Sequence, residues 1–322
     1  MRFALDEEQR GFARSLDDLL SGADTPSVAR AWAGGDADPG RKLWGRLADL
    51  GVNALLVPEE HDGLGATPVE LVVAFEALGR HAVPGPWVET AAYLARCPGV
   101  AATVAAGELL TVAVPPHTPR ALDADVASRV LVARDGALHD ASVGEPRRSV
   151  DTTRRLHDVV AAGPDSGPHS GPDSGPVSAV GDDAFETAAL ATAAQLLGLG
   201  EHLLAGTVEY VGQRHQFGRA IGSYQAVKHA LADVRIGLEF ARPLVQGAAL
   251  SLEAADVSAA KVAAGDAADR AARTALQAHG AVGYTAEHDL GLWLLKVRAL
   301  LGAWGTPGWH RARILDRLTG GR

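Results

Sequence analysis

Apolar residues recur with helical spacing over the first hundred positions. Phe12, Leu16, Leu19 and Leu20 share one face of a helix that Asp6 and Gln9 can open as a capping box and Gly22 can close. Leu43, Trp44, Leu47 and Leu50 predict a second amphipathic helix, stopped at Gly51. The segment Pro58-Glu59-Glu60-His61-Asp62-Gly63-Leu64-Gly65 reads as a turn-rich loop. Pro68 then opens a third helix through Leu71, Val72, Phe75 and Leu78 to Gly79.

The pattern changes after about residue 100. Leu109–Val114 and Arg129–Ala133 read as strands, the second followed by a turn at Asp135-Gly136, and Val159–Ala162 is a further short candidate. The pentapeptide Pro164-Asp165-Ser166-Gly167-Pro168 repeats at 172–176, a Pro/Gly/Ser tract with nothing to bury, expected as a mobile surface loop. From 181 to 322 the pattern is helical again, alanine-rich and poor in aromatics, as suits long helices packed closely in a bundle. The expected fold is therefore mainly α: a helical domain over 1–100, a small β domain over 101–180 and a helical bundle over 181–322.

Composition narrows the function. A chain of 322 residues, 47% hydrophobic, can bury one or two cores. A net charge of −9 gives no electrostatic support to nucleic-acid binding. The single Cys97 excludes an internal disulfide and fits a reducing cytoplasm. Met1–Asp6 lacks an apolar signal core, and the longest uncharged run, Thr187–Gly200, is too short to span a bilayer and contains Gln195. A soluble, cytoplasmic protein is expected, bound neither to nucleic acid nor to membrane. The twelve histidines form no set with Cys, Asp or Glu at metal-ligand spacing, so no metal is expected.

Two segments carry candidate chemistry. Arg214-His215-Gln216-Phe217-Gly218, followed by Ile221-Gly222-Ser223-Tyr224-Gln225, ends one helical stretch and leads into another. Arg214 offers a fork of donors suited to a pyrophosphate, and Gly218 and Gly222 permit a tight turn. An ordinary turn between helices, with a solvated arginine, satisfies the same spacing. In Gln277-Ala278-His279-Gly280-Ala281-Val282-Gly283-Tyr284-Thr285, two glycines could bring backbone N–H groups to a phosphate, or simply cap a helix.

Taken together, RxxFGxxIxxxQ and then QxHGxxGYTxE resemble the C-terminal signature of acyl-CoA dehydrogenases. Leu5-Asp6-Glu7-Glu8-Gln9, Leu50-Gly51-Val52, Val57-Pro58-Glu59-Glu60 and Gly63-Leu64-Gly65 are similar to that family's N-terminal stretch. The resemblance covers about 1–95 and 181–322. The short length and eroded middle look most like actinobacterial members that act on sterol side chains or form mixed complexes.

The resemblance implies two helical domains around a β domain, with FAD extended between them and a neighbouring subunit. A carboxylate would remove the α-proton of an acyl-CoA while FAD accepts the β-hydride. The product is a trans-2-enoyl-CoA, and the electrons pass to an electron-transfer flavoprotein. It also implies residue roles. Arg214 would contact FAD across the subunit boundary, with Phe217 beside it and Gln225 toward the adenine. Gln277, His279 and Gly280 would lie at the pyrophosphate, and Gly305-Thr306 would follow the commonest catalytic glutamate. Here Trp304 occupies that glutamate position, and Ala188 occupies the alternative one on the first helix of the C-terminal domain. The family's Thr-Glu-Pro…Gly-Ser-Asp and Trp-Ile-Thr/Ser stretches are missing from the β region, which looks reduced.

Glu186 lies about 200° around the helix from position 188, and Glu201 with His202 reads as a polar helix face. Glu287, flanked by His288 and Asp289, is the remaining candidate base, or an ion pair that fixes its loop. These departures imply one subunit of a mixed enzyme, with a homologous acyl-CoA dehydrogenase subunit supplying the base. The alternatives are a homomeric dehydrogenase with a relocated base, a non-catalytic scaffold or acyl-CoA-binding relative, and a flavin oxidase or monooxygenase on the same fold.

Overall fold

The computed structural model describes residues 3–161, 176–285 and 288–320. Helix α1 (Glu7–Ser21) opens on the expected capping box: the Asp6 carboxylate accepts from the Gln9 N–H at 2.8 Å and the Gln9 side chain accepts from the Asp6 N–H at 3.0 Å. Leu16 and Leu20 are buried, and Gly22 follows the last turn. Helix α2 (Thr25–Ala33), not anticipated, is only nine residues long and buries only Thr25, Ala29 and Trp32, too few for periodicity to show. Helices α3 (Asp38–Asp49) and α4 (Pro68–Arg80) match the predicted patterns, α4 with a second capping box from Thr67 and Glu70. A π-helical turn, Val88–Tyr93, and a 3-10 turn lead into α5 (Pro98–Ala105).

Six strands follow: β1 (Leu110–Ala113), β2 (Ala121–Leu122), β3 (Arg129–Arg134), β4 (Ala137–Arg147), β5 (Leu156–Ala161) and β6 (Ser178–Ala179). The sheet runs β1-β3-β4-β5-β2, with β6 on β4 and only β1–β3 parallel. Asp135 and Gly136 take φ of 49° and 76° in the two-residue β3–β4 hairpin, the conformation for which Asp-Gly is favoured. Strand β4 escaped the sequence reading because it keeps no apolar alternation and carries Gly144 and Pro146 at a register shift. Of the 164–176 repeat, all but Pro176 lies outside the described residues.

The bundle comprises α6 (Ala184–Gln213), α7 (Gln225–Ser251), α8 (Ala254–His279), α9 (Leu290–Leu300) and α10 (Pro307–Leu318). Helix α6 is its axis, flanked by α4, α7 and α8. A Cβ on Gly198 would stand 2.0 Å from the Glu76 carbonyl oxygen, and one on Gly79 would stand 2.1 Å from that of Gln195. Backbones of α4 and α6 thus touch where no side chain fits, and one cluster of buried apolar residues runs from Leu16 to Trp304. Arg242 ties Glu76 of α4 to Glu201 of α6, and Arg235 also bonds Glu201. On the expected polar face of Glu201 and His202, Glu201 thus fastens α6 to α7. The uncharged run inside α6 is short, but the whole helix is long and apolar enough to cross a membrane by length and composition; here most of it is buried against protein.

Candidate functional site

The predicted site residues fall at the two ends of α6. At its C-terminal end Arg214 leaves the helix, donating its N–H to the Tyr210 carbonyl and accepting from the Ile221 N–H. A two-stranded hairpin, β7 (His215–Gln216) with β8 (Arg219–Ala220), turns on Phe217 and Gly218, with φ of 53° and 82°. A phenylalanine in the left-handed region is costly, and this one is 91% exposed, so packing within the chain does not hold it there. The Arg214 side chain is exposed and has no partner among the described residues. Arg219 covers the Tyr224 ring at 3.9 Å, and Gln225 is the exposed first residue of α7.

The second motif meets the first. His279, the last residue of α8, stacks on Tyr210 at 4.1 Å, with its Nδ1 2.8 Å from the Ala275 carbonyl. Burial pushes its pKa down, which favours a neutral ring. Gly280 follows at φ 60° with open space around its Cα, and Gln277 is exposed. A cavity of about 350 Å³ between His202, Tyr210, Gln213, His279, His288 and Trp293 lies where the two motifs converge. Glu287 lies outside the described residues, while Asp289 beside it is ion-paired with Arg30.

The other predicted residues sit at the opposite end of α6. Ala188 is fully buried, and Phe185 one turn earlier lies 6.0 Å from the Trp304 ring. Trp304 is 1% exposed and also packs on Tyr93 at 5.1 Å. Its φ is 55°, and Gly305 follows at 103°, where a Cβ would meet the His310 ring at 2.5 Å. His310 links the Trp304 carbonyl and the Ser258 hydroxyl, each at 3.0 Å, and burial pushes its pKa down to about 4. Thr306 caps α10 through the Trp309 N–H. Glu186 is held by Arg313.

Beside this turn lies a cavity of about 370 Å³, walled by the β1–β2 loop, residues 148–156 and the end of α9. Glu89, on the π-helical turn, forms part of its lining and is 2% exposed. Arg154 approaches its Oε1 at 3.9 Å, Oε2 has no hydrogen-bond partner among the described residues, and burial pushes the carboxyl up. Nearby, Lys296 donates to Asp151 at 3.1 Å and Thr153 at 2.8 Å. Sequence reasoning passed over Glu89 and Arg154. The available signal was that Glu89 is the only charged residue in the apolar run from Ala82 to Ala95.

Comparison with known proteins adds to this geometry. Residues 6–98 match the family described as acyl-CoA dehydrogenase, N-terminal domain, and residues 179–319 match its C-terminal domain. The acyl-CoA dehydrogenase IpdE2 of Mycobacterium tuberculosis is 31% identical over 89% of this chain and 90% of its own. Among solved structures, the ChsE4-ChsE5 complex from Mycobacterium tuberculosis superposes at TM-score 0.83 with 24% identity, covering 99% of each chain. Butyryl-CoA dehydrogenase from Megasphaera elsdenii superposes at TM-score 0.83 with 19% identity, covering 99% of this chain and all of that one.

Proposed function

Since the chain belongs to the acyl-CoA dehydrogenase family, we propose that it serves as one subunit of a mixed, FAD-dependent acyl-CoA dehydrogenase whose homologous partner provides the catalytic base. The observation that carries this reading is the missing base: Trp304 and Ala188 hold the two usual positions, and Glu186 is paired with Arg313. The 30 residues of α6 span about 45 Å. Arg214 and the His279 segment therefore cannot reach a reaction centre beside Trp304 in the same chain. They serve a flavin held largely by a neighbouring subunit.

The two ends fit FAD differently. An unpartnered guanidinium fork at Arg214, the exposed Gln277 and the open backbone at Gly280 suit a pyrophosphate. At the other end Trp304 fills the space between Tyr93 and Phe185. An indole donates one hydrogen bond and cannot take up a proton. Ala188 has no titratable group, and Glu186 is committed to Arg313. This chain's own residues thus bind and orient across the interface, and the proton acceptor at the acyl α-carbon comes from the partner. When bound, FAD supplies the acceptor for the β-hydride, and an electron-transfer flavoprotein is the onward electron carrier. The ChsE4-ChsE5 neighbour, whose name pairs two chains, supports a mixed assembly for this fold.

Arg214→Ala in the co-expressed complex tests the assignment. A hydrogen bond to a charged group is worth about 1.5–3 kcal/mol, so FAD affinity measured by flavin fluorescence is expected to fall at least several-fold. Unchanged affinity would remove Arg214 from the site.

A further inference from the structure

We infer that Tyr210 and His288 are positioning residues for the flavin: they hold the His279 ring from two sides and so fix the Gly280 turn that faces it. The inference deepens the FAD reading above and rests on it. Tyr210 lies one turn before Arg214, and its carbonyl accepts the Arg214 N–H at 2.9 Å. Its ring stacks on His279, with centroids 4.1 Å apart and planes 19° from parallel. His288 meets the same imidazole edge-on, at 5.3 Å and 69°. One file of rings thus joins the end of α6, the end of α8 and the start of α9. The second glycine of the motif closes the clamp: a Cβ on Gly283 would stand 3.2 Å from the His279 Cβ and 3.4 Å from the Leu290 Cδ2. Gly280 lies between these contacts at φ 60° and ψ −138°, a conformation that favours glycine. It has no side chain to hold it, so its orientation follows that of His279.

His288 carries a second constraint. Its Nδ1 accepts the Leu290 N–H at 3.1 Å, an amide of the first turn of α9 that has no partner within the helix. That contact needs the Nδ1 lone pair, so it exists only while the imidazole is neutral. His279 in turn donates from Nδ1 to the Ala275 carbonyl, and burial, with His288 beside it, opposes a charge on its ring. The charged groups facing the pair are Glu209 of α6 and Asp289 of α9, the latter paired with Arg30 of α2. Across the cavity His202 stacks on Trp293 beside Arg80 and His81, and Glu287 lies outside the described residues. Acid therefore removes the Leu290 acceptor and sets like charges on adjoining rings. An imidazolium touching the pyrophosphate directly would attract it, so the sign of the pH response separates the two roles: a clamp loosens the flavin in acid, and a direct cationic contact tightens it.

FAD dissociation from the co-expressed complex, followed by flavin fluorescence from about pH 8 to about pH 5, reads the clamp. The wild type is expected to release FAD about threefold to tenfold faster at the acid end. His288→Asn places an amide oxygen at the same reach from the backbone and cannot titrate. It is expected to keep the neutral rate and flatten the profile. His288→Phe, which keeps a ring and loses the acceptor, is expected to show the fast rate at every pH, as is Tyr210→Leu. Tyr210→Phe, which keeps the stack, is expected to match the wild type. A profile that survives His288→Asn, or FAD held more tightly in acid, overturns the proposal. Hydrogen exchange in the flavin-free full chain tells the two levels of failure apart. There His288→Phe is expected to speed exchange of the 280–283 and 290–292 amides at least about threefold. Unaltered exchange overturns the clamp itself. Faster exchange with unaltered FAD release overturns the proposal through the FAD reading it rests on.

Discussion

Trp304 puts a packing group where the family resemblance calls for an acid–base group. With 1% exposure and contacts to Tyr93 and Phe185, Trp304→Ala is expected to cost about 3–5 kcal/mol, read as a lower denaturation midpoint. Trp304→Glu is not expected to make the chain self-sufficient, because the new carboxylate would be buried near Glu89, itself short of partners. Turnover of an acyl-CoA by the homogeneous wild-type chain, abolished by Glu287→Gln, would instead favour the relocated base. Histidines set the acid response. His202 lies 3.8 Å from the Trp293 ring, and burial beside His81 and Arg80 pushes its pKa down to about 4 from 6.5. Between those values the unfolded chain binds a proton that the fold refuses, so this term is lost as pH falls from about 6.5 to 4, at a cost on the order of 3 kcal/mol. Asp123, pushed up to about 7 by burial, works in the opposite sense over nearly the same range. The comparison that isolates His202 is His202→Phe, which keeps the stack: its unfolding free energy is expected to change less steeply with acid than the wild type's. Trp304 and Ala188 were legible from position in a motif. Glu89 and His202 were not, because only the folded chain brings Arg154 and Trp293 against them.

At the scale of elements, the readable helices were those with an apolar stripe, and α3 was legible from its stripe alone. The boundaries of α1 and α4 follow from Asp6/Gln9 and Thr67/Glu70, local interactions that any reader of the chain can pair. Strand β4 and the π-helical turn at Val88–Tyr93 depend on neighbours far along the chain, and nothing local announces them. The crossing of α4 on α6 is a further case: Gly198 is an unremarkable glycine in a helix until Glu76 is placed 2.0 Å from its missing Cβ. Gly198→Ala must push backbone against backbone and is expected to destabilise by about 1–3 kcal/mol or more. Gly206, in the same helix, has nothing within 4 Å of such a Cβ, and Gly206→Ala is expected to stabilise by about 0.5–1 kcal/mol through backbone entropy. Chemical denaturation of the pair checks the sign at each site.

For the whole molecule, the surface of α7 completes the case for assembly. Ile236, Phe240 and Leu244 stand four residues apart, at 51%, 73% and 44% exposure, on the same side of that helix. The isolated chain is therefore expected to associate, and with its unequal partner to carry one FAD per pair. Light scattering with flavin stoichiometry measures both, and a clean homotetramer with one FAD per chain would reject the mixed complex. Phe240→Glu is expected to weaken association while leaving the fold intact. Partner and flavin together stabilise by mass action, about 2.7 kcal/mol when free ligand is one hundred times its dissociation constant.

The glycine contact between α4 and α6 also decides what counts as a separable part. Residues 6–98 and 179–319 match the family as two regions, yet each presents the other with a surface shaped to bare backbone. Neither is a portable module, and grafting one onto a foreign scaffold would leave a glycine groove that water must fill. The same fit makes the two halves mutually selective. Made as separate polypeptides, 1–161 and 176–322 would each carry the mould of the other, and co-expressed they are expected to co-purify through this contact.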